Sequence, residues 1–217
     1  MSEFTVEIVS DTVCPWCYVG HKKLQKAMAA YKARSPDATF CVSWKPYYLN
    51  PNAPTPAIEK AEFYRNKFGD DRAAMIFARL RGVGRDVGID FKFGGKTGST
   101  RDSHRLIQLA GQEEEGGTLQ TRVVEEIFRS YFENEEDITD HGVLTAAAVR
   151  AGLEEGKVRG WLESGSGGEV VDREVGKAQV MGIRGVPNFT INGEWQMGGA
   201  QDHMEFVRVF EQVADKV

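Results

Sequence analysis

The chain has 217 residues, with 27 Lys or Arg against 32 Asp or Glu, a formal net charge of -5 and three cysteines. That length supports a core that needs no disulfide scaffold, and an acidic balance without a Lys/Arg block argues against a nucleic-acid or membrane-surface footprint. No run of about 18 apolar residues occurs, and Met1 to Glu7 has no basic segment leading into an apolar core, so a cytosolic protein is expected.

Phe4 to Ser10 alternates and is rich in β-branched residues (Thr5, Val6, Ile8, Val9), which predicts a strand. From Pro15 to about Arg34, Val19, Leu24, Ala27, Met28 and Tyr31 recur at helical spacing, and Pro15 suits a first turn. Thr39 to Trp44 predicts a second strand, stopped by Pro46, so the opening is β-α-β. After Pro51, Pro54 and Pro56 the pattern turns helical, with helices expected over 57–81, 101–115, 118–133, 140–151 and 155–164 and no strand of comparable quality among them. Gly165 to Gly168 then leads into a helix over 169–181. Phe189 to Asn192 and Glu194 to Met197 flank Asn192-Gly193, a β-hairpin signal, and a last amphipathic helix spans 202–213. The order is β-α-β, a helical block, then α-β-β-α; without the block it is the order of a thioredoxin fold.

The stretch "DTVCPWCY" places Cys14 and Cys17 two residues apart where the first strand passes into the first helix. Free N–H groups and the positive end of the helix dipole stabilise an anion there, and a thiolate is such an anion. Cys17 lies one turn further on, where it can resolve a mixed disulfide formed at Cys14. Pro15 fixes φ and removes a donor, and Trp16 offers a flat apolar surface beside the sulfurs. In a cytosolic chain a close cysteine pair is more often catalytic, redox-sensing or metal-binding than structural. A zinc site needs about four ligands and only one Cys-X-X-Cys occurs, although His21 could serve with distant partners. Haem attachment calls for His after the second cysteine, and Tyr18 stands there.

Strand, "VCPWC", helix, helical block and "GIRGVPNFTINGEW" together resemble the DsbA-like branch of the thioredoxin superfamily. More narrowly, "SDTVCPWCYVG", "DSHRLIQLA" and "GIRGVPNFTINGEWQMGGAQ" look like the FrnE-like disulfide oxidoreductases, relatives of hydroxychromene carboxylate isomerases and kappa-class glutathione transferases. The resemblance implies an α/β fold: a thioredoxin fold with an all-helical insertion between the second and third strands. It divides the chain into a thioredoxin-fold domain over 1–50 and 165–217 and an insertion over 51–164. It makes Cys14 the nucleophile, Cys17 the resolving thiol and Pro187 a cis-proline, with Val186 offering its N–H and C=O to an extended peptide or to glutathione. Pro15 and Trp16 flank that substrate, and His104 of "DSHRL" would contact it.

The resemblance further implies no bound cofactor and no metal, glutathione as a co-substrate, and a disulfide-containing protein or glutathione as partner; monomer and homodimer stay open. The related isomerases and transferases carry serine where Cys14 stands, so the intact pair favours thiol–disulfide exchange. A glutathione-dependent isomerase or transferase acting on an aromatic or polyketide-derived small molecule is the first alternative, and a non-catalytic redox-sensing module the second. Ser99-Thr100 stand where family members often have Asn.

Lesser features have plainer expectations. Cys41 should be a buried small hydrophobe and His21 an exposed side chain. Gly198-Gly199-Ala200-Gln201 either holds a carboxylate or gives the last helix a flexible entry. The acidic runs at 113–115 and 133–137 read as solvated, and Gly82, Gly84 and Gly88 fail as a dinucleotide fingerprint because no strand precedes them.

Overall fold

In the computed structural model, which describes residues 2–114 and 116–216, one four-stranded sheet forms the centre. Its strands are β1 (Glu3–Ser10), β2 (Thr39–Pro46), β5 (Asn188–Ile191) and β6 (Trp195–Gly198), in the order β2-β1-β5-β6. β1 runs parallel to β2 and antiparallel to β5, and β5 and β6 form the expected hairpin. Asn192 and Gly193 make its turn with φ of 47° and 71°, the left-handed pair that a two-residue hairpin loop requires.

The two sheet faces are covered by different helices. Phe4 packs against Tyr31, Phe40 and Phe210 with ring centroids 4.9–5.2 Å apart, which seats α1 (Pro15–Arg34) and α9 (His203–Ala214) on one face. On the other, Val9 meets Ala178 of α8 (Gly168–Val180) and Ile183. The edge strand β2 is held by α5 (Thr118–Phe132): Trp44 N–H donates to Gln120 at 2.9 Å and the Trp44 indole to Thr121 at 3.0 Å.

Between β2 and α8 the chain forms α2 (Lys60–Phe68), α3 (Asp70–Val87), α4 (Arg101–Glu113), α5, α6 (His141–Ala151) and α7 (Glu155–Glu163). The buried side chains of α3 to α7 join those of β1 and α1 in one continuous cluster, which crosses both expected domain boundaries. None of the described helices is long and apolar enough to cross a membrane.

The expected helix over 57–81 is in fact three elements. Ile58–Glu59 is a two-residue strand, β3, paired antiparallel with β4 (Lys96–Thr97), and Gly69 (φ 81°, ψ 159°) separates α2 from α3. Strands this short carry no readable alternation. α3 also runs on past Gly82 to Val87 and ends at Gly88 in the left-handed region, and Gly84 lets Phe91 and Ile89 O pack where a Cβ would be 2.5 and 2.6 Å away. Glu115, the last residue of the helix expected over 101–115, lies outside the described residues.

Three other expectations are corrected. Cys41 is exposed, because β2 turns Val42 and Trp44 inward and so turns Cys41 outward. His21 is buried, with Nε2 2.8 Å from Glu125 Oε1; burial would raise that carboxyl, but the contact with His21 holds it below its ordinary range. The run 133–137 is no mere solvated face: Glu133 accepts from Tyr18 at 2.6 Å and Glu135 from the Gly94 N–H at 2.6 Å.

Lys60 is the costly feature of this fold. It is 2% exposed, its ammonium donates to Tyr131 O at 2.6 Å, and it sits 3.7 Å above the Tyr131 ring. Burial pulls it from 10.5 down to about 8, with Glu135 opposing the shift. Below pH 8 both folded and unfolded chains carry the proton, so the cost of burying the charge is complete. Between 8 and 10.5 only the unfolded chain keeps it, and the cost is relieved as pH rises. The stability advantage of Lys60→Met over the wild type should therefore shrink by roughly 3 kcal/mol from pH 7 to pH 10.5, read by urea unfolding of both proteins.

Candidate active site

Cys14 is the N-cap of α1 (φ -90°, ψ 110°), with Pro15 at the first helical position and no side chain capping the turn. The loop before it is fixed from behind by α4. Cys14 N–H donates to Asp11 O at 3.0 Å. The buried Asp11 carboxylate takes the Leu49 N–H at 2.8 Å, and His104 Nε2 lies 3.4 Å from its other oxygen. The same Nε2 is 3.1 Å from Tyr47 O, which can only accept, so His104 carries its proton on Nε2. Ser103 donates its hydroxyl to Thr100 O at 2.7 Å, so in the 2.8 Å Thr12–Ser103 contact Thr12 is the donor.

Of the expected substrate residues, Pro15, Trp16 and Val186 line one cavity with Cys14. The Val186–Pro187 peptide is cis, and the Cys14 thiol lies 3.6 Å from Val186 O. Pro187 is buried beneath, against α1 at Gly20, where a Cβ would stand 3.1 Å from Pro187 Cγ and 3.0 Å from the Phe189 ring. His104 is not on the cavity wall. It is 4% exposed, and its ring orders the loop from the far side while edging a separate cavity of about 280 Å³ with Ser10 and Thr12. The supports Asp11, Thr12 and Ser103 were missed as site residues, although "SDTVCPWC" and "DSHRL" contain them.

The two thiols are unequal. Both are buried, Cys14 at 3% and Cys17 at 1% exposed, but only Cys14 lines the cavity, and Cys17 stands within hydrogen-bonding reach of Cys14. Burial, and then Cys14 beside it, push the Cys17 thiol up, while the Ser10 hydroxyl and the Asp11 backbone oppose that rise. Cys14 opens on a cavity of about 350 Å³, closed on its other sides by Phe63, Tyr64 and Phe68 of α2, Leu80 of α3 and Tyr131 of α5. Burial and the nearby Cys14 push the Tyr64 phenol up to about 12.

At the entry to α9, Gly199 N–H is bonded to Pro187 O and Gln201 N–H to Gly199 O, and the Asp202 carboxylate accepts from Met204 N–H. This turn is already capped by an anion of its own and is not a free cradle for another. Among the described residues no three His, Cys, Asp or Glu side chains converge as a metal site.

A family model described as the DSBA-like thioredoxin domain matches residues 5–210. The chain belongs to that family. Its structure resembles a probable DsbA oxidoreductase from Streptomyces coelicolor, with 27% identity, 99% of this chain and 91% of that one covered, and a TM-score of 0.86. At 14% identity, covering 98% and 97% with a TM-score of 0.63, it also shares the fold of the cytosolic disulfide reductase DsbM from Pseudomonas aeruginosa, which is known with GSH as well. A 2-hydroxychromene-2-carboxylate isomerase has the same fold at 13% identity, 98% and 99% coverage and a TM-score of 0.66. DsbA-like family membership thus supports oxidoreductase or closely related chemistry, and the expected α/β thioredoxin fold stands.

Proposed function

We propose that the protein is a thiol–disulfide oxidoreductase working through Cys14 and Cys17. The observation that carries this reading is the inequality of the two sulfurs: Cys14 faces the cavity beside Val186 O, whereas Cys17 is sealed behind it with its thiol pushed up by burial. In the reducing direction the Cys14 thiolate attacks one sulfur of R–S–S–R′, forms Cys14–S–S–R and expels R′–S⁻, which takes a proton from water. The Cys17 thiol then attacks Cys14 Sγ, closing the Cys14–Cys17 disulfide and expelling R–S⁻, which takes up, through water, the proton that Cys17 gives up. As the Cys17 thiolate develops, the Ser10 hydroxyl and the Asp11 backbone stabilise it. Two low-molecular-weight thiols, glutathione by preference, return the pair to dithiol and leave as their own disulfide. The N–H and C=O of Val186 pair with an extended segment of the substrate, and Trp16 covers the sulfurs.

We assign the reducing direction in the cytosol by analogy with DsbM; the reduction potential relative to the compartment decides it. Intact mass of the Cys41→Ser protein across a series of glutathione redox buffers tests the reading, the substitution removing an exposed thiol that would itself pick up glutathione. Conversion at one defined poise to a form two hydrogen atoms lighter is expected. A chain that keeps a single mass across the whole series is no dithiol oxidoreductase.

One observation favours a second reading. The walls of the cavity are apolar, as they would be in a glutathione-dependent isomerase acting on an aromatic small molecule. That activity needs no resolving thiol and would survive Cys17→Ser.

A further inference from the structure

We infer that the cavity beside Cys14 selects disulfides in which one half is a compact apolar thiol, aromatic in fit, that carries a carboxylate received by Lys67 and Arg79. This rests on the disulfide-exchange reading and names the substrate class of that same site. The cavity's volume of about 350 Å³ falls within the roughly 300–1,000 Å³ of small-molecule sites. It holds one substituted ring beside the attacking sulfur.

The charges in it are unevenly engaged. Asp11 is occupied by the Leu49 N–H and by His104. Lys67 and Arg79 are the cations that line the cavity, and among the described residues neither pairs with a carboxylate, so both are available to a ligand there. In a chain of net charge -5, two cations without a partner at the mouth of an apolar cavity form a local anion-attracting field.

Both cations are held over aromatic faces. Lys67 Nζ is 5.5 Å from the ring centroids of Phe63 and Phe68, and the Arg79 guanidinium is 5.3 Å from that of Trp16, the residue between Pro15 and Cys17. This stacking fixes their heads while leaving N–H groups free for an incoming anion. When a ring fills the cavity and displaces water, a carboxylate at the mouth meets those cations in a medium of lower polarity, where the attraction strengthens. Glutathione itself, with an ammonium, two carboxylates and a polar peptide, suits the role of electron donor and not that of occupant.

During reduction the carboxylate-bearing half forms the bond to Cys14 while the other half leaves as thiolate. Cys17 then releases the bound half as its thiolate, with both electrons coming from the dithiol.

The test measures kcat/KM for bis(4-carboxyphenyl) disulfide and for its bis-carboxamide, in Cys41→Ser protein with glutathione as reductant. The acid-to-amide ratio, compared between variants, cancels the intrinsic reactivities of the two disulfides. It should fall about tenfold in Arg79→Gln and further in Lys67→Gln/Arg79→Gln, as loss of a charge-assisted hydrogen bond predicts. It should change less than about twofold in Arg81→Gln, which removes the same charge from α3 at a different cavity. In parallel, calorimetry on Cys14→Ser compares 4-(methylsulfanyl)benzoate with its amide and needs no redox step. A ratio unmoved by Lys67 and Arg79 overturns this inference and leaves disulfide exchange standing. If neither disulfide is consumed yet Cys14→Ser prefers the acid in an Arg79-dependent way, the exchange reading falls and the anion site remains.

Discussion

Cys17→Ser should arrest exchange at a mixed disulfide on Cys14, with multiple turnover reduced at least about a hundredfold. Cys14→Ser should abolish both turnover and adduct. The asymmetry follows from position: Cys14 lies at the cavity and at the N-terminus of α1, whereas Cys17 is enclosed and its thiol is raised by burial. A substrate therefore meets Cys14 first. Without Cys17 the adduct leaves only by attack from a thiol in solution, which must approach past Val186 and Trp16. Intact mass of each variant, in a Cys41→Ser background, reads the adduct, and reduction of a disulfide by glutathione reads turnover. Full turnover in Cys17→Ser without an adduct would exclude dithiol chemistry and favour the isomerase reading.

What the sequence revealed, and what it hid, follows from the range over which each signal acts. The sheet, the cysteine loop and the 192–193 hairpin are written in local signals: β-branched alternation over Phe4–Ser10, Pro15 at a helix start, and Asn-Gly between two strands. Even the place of Val186–Pro187 could be read, from the resemblance carried by "GIRGVPNFTINGEW". The break at Gly69 was hidden because a lone glycine inside a helical pattern serves equally as a tolerated residue or as a stop. Cys41 and His21 were misjudged for a related reason. Their burial depends on which side of β2 faces α5, and on Glu125 arriving from 104 residues away. His104 lies in the region its motif marks but on the far side of the loop from the cavity, since a motif marks a neighbourhood and not a direction. The cavity walls from α2 and α3 could not be read at all, because no periodicity tells which aromatic residues of an inserted helix face a distant cysteine.

Arg105→Met should destabilise the protein by roughly 3–5 kcal/mol, which in a chain of this size lowers Tm by about 6–20 °C. Arg105, on α4, is almost fully buried against the C-terminal end of α7 and the loop that leads into α8. Its guanidinium bonds four partners: Nε donates to Ser166 O at 2.7 Å, Nη1 to Asp102 at 2.6 Å, and Nη2 to both Trp161 O at 2.5 Å and Leu162 O at 3.2 Å. It thereby satisfies carbonyls at the C-terminal end of α7 that the helix cannot bond itself. The Trp161 indole returns a bond to Arg105 O at 3.0 Å. Burial would raise the Asp102 carboxyl, but the hydrogen bonds from Arg105 and His141 hold it below its ordinary range, so removing Arg105 strips that carboxylate of its guanidinium and leaves it the His141 bond. Lysine keeps the charge but not the planar fork, so Arg105→Lys should recover only a minor part of the loss. The comparison of the two variants by urea unfolding separates loss of charge from loss of geometry: equal rescue by lysine would mean that charge alone matters at this joint.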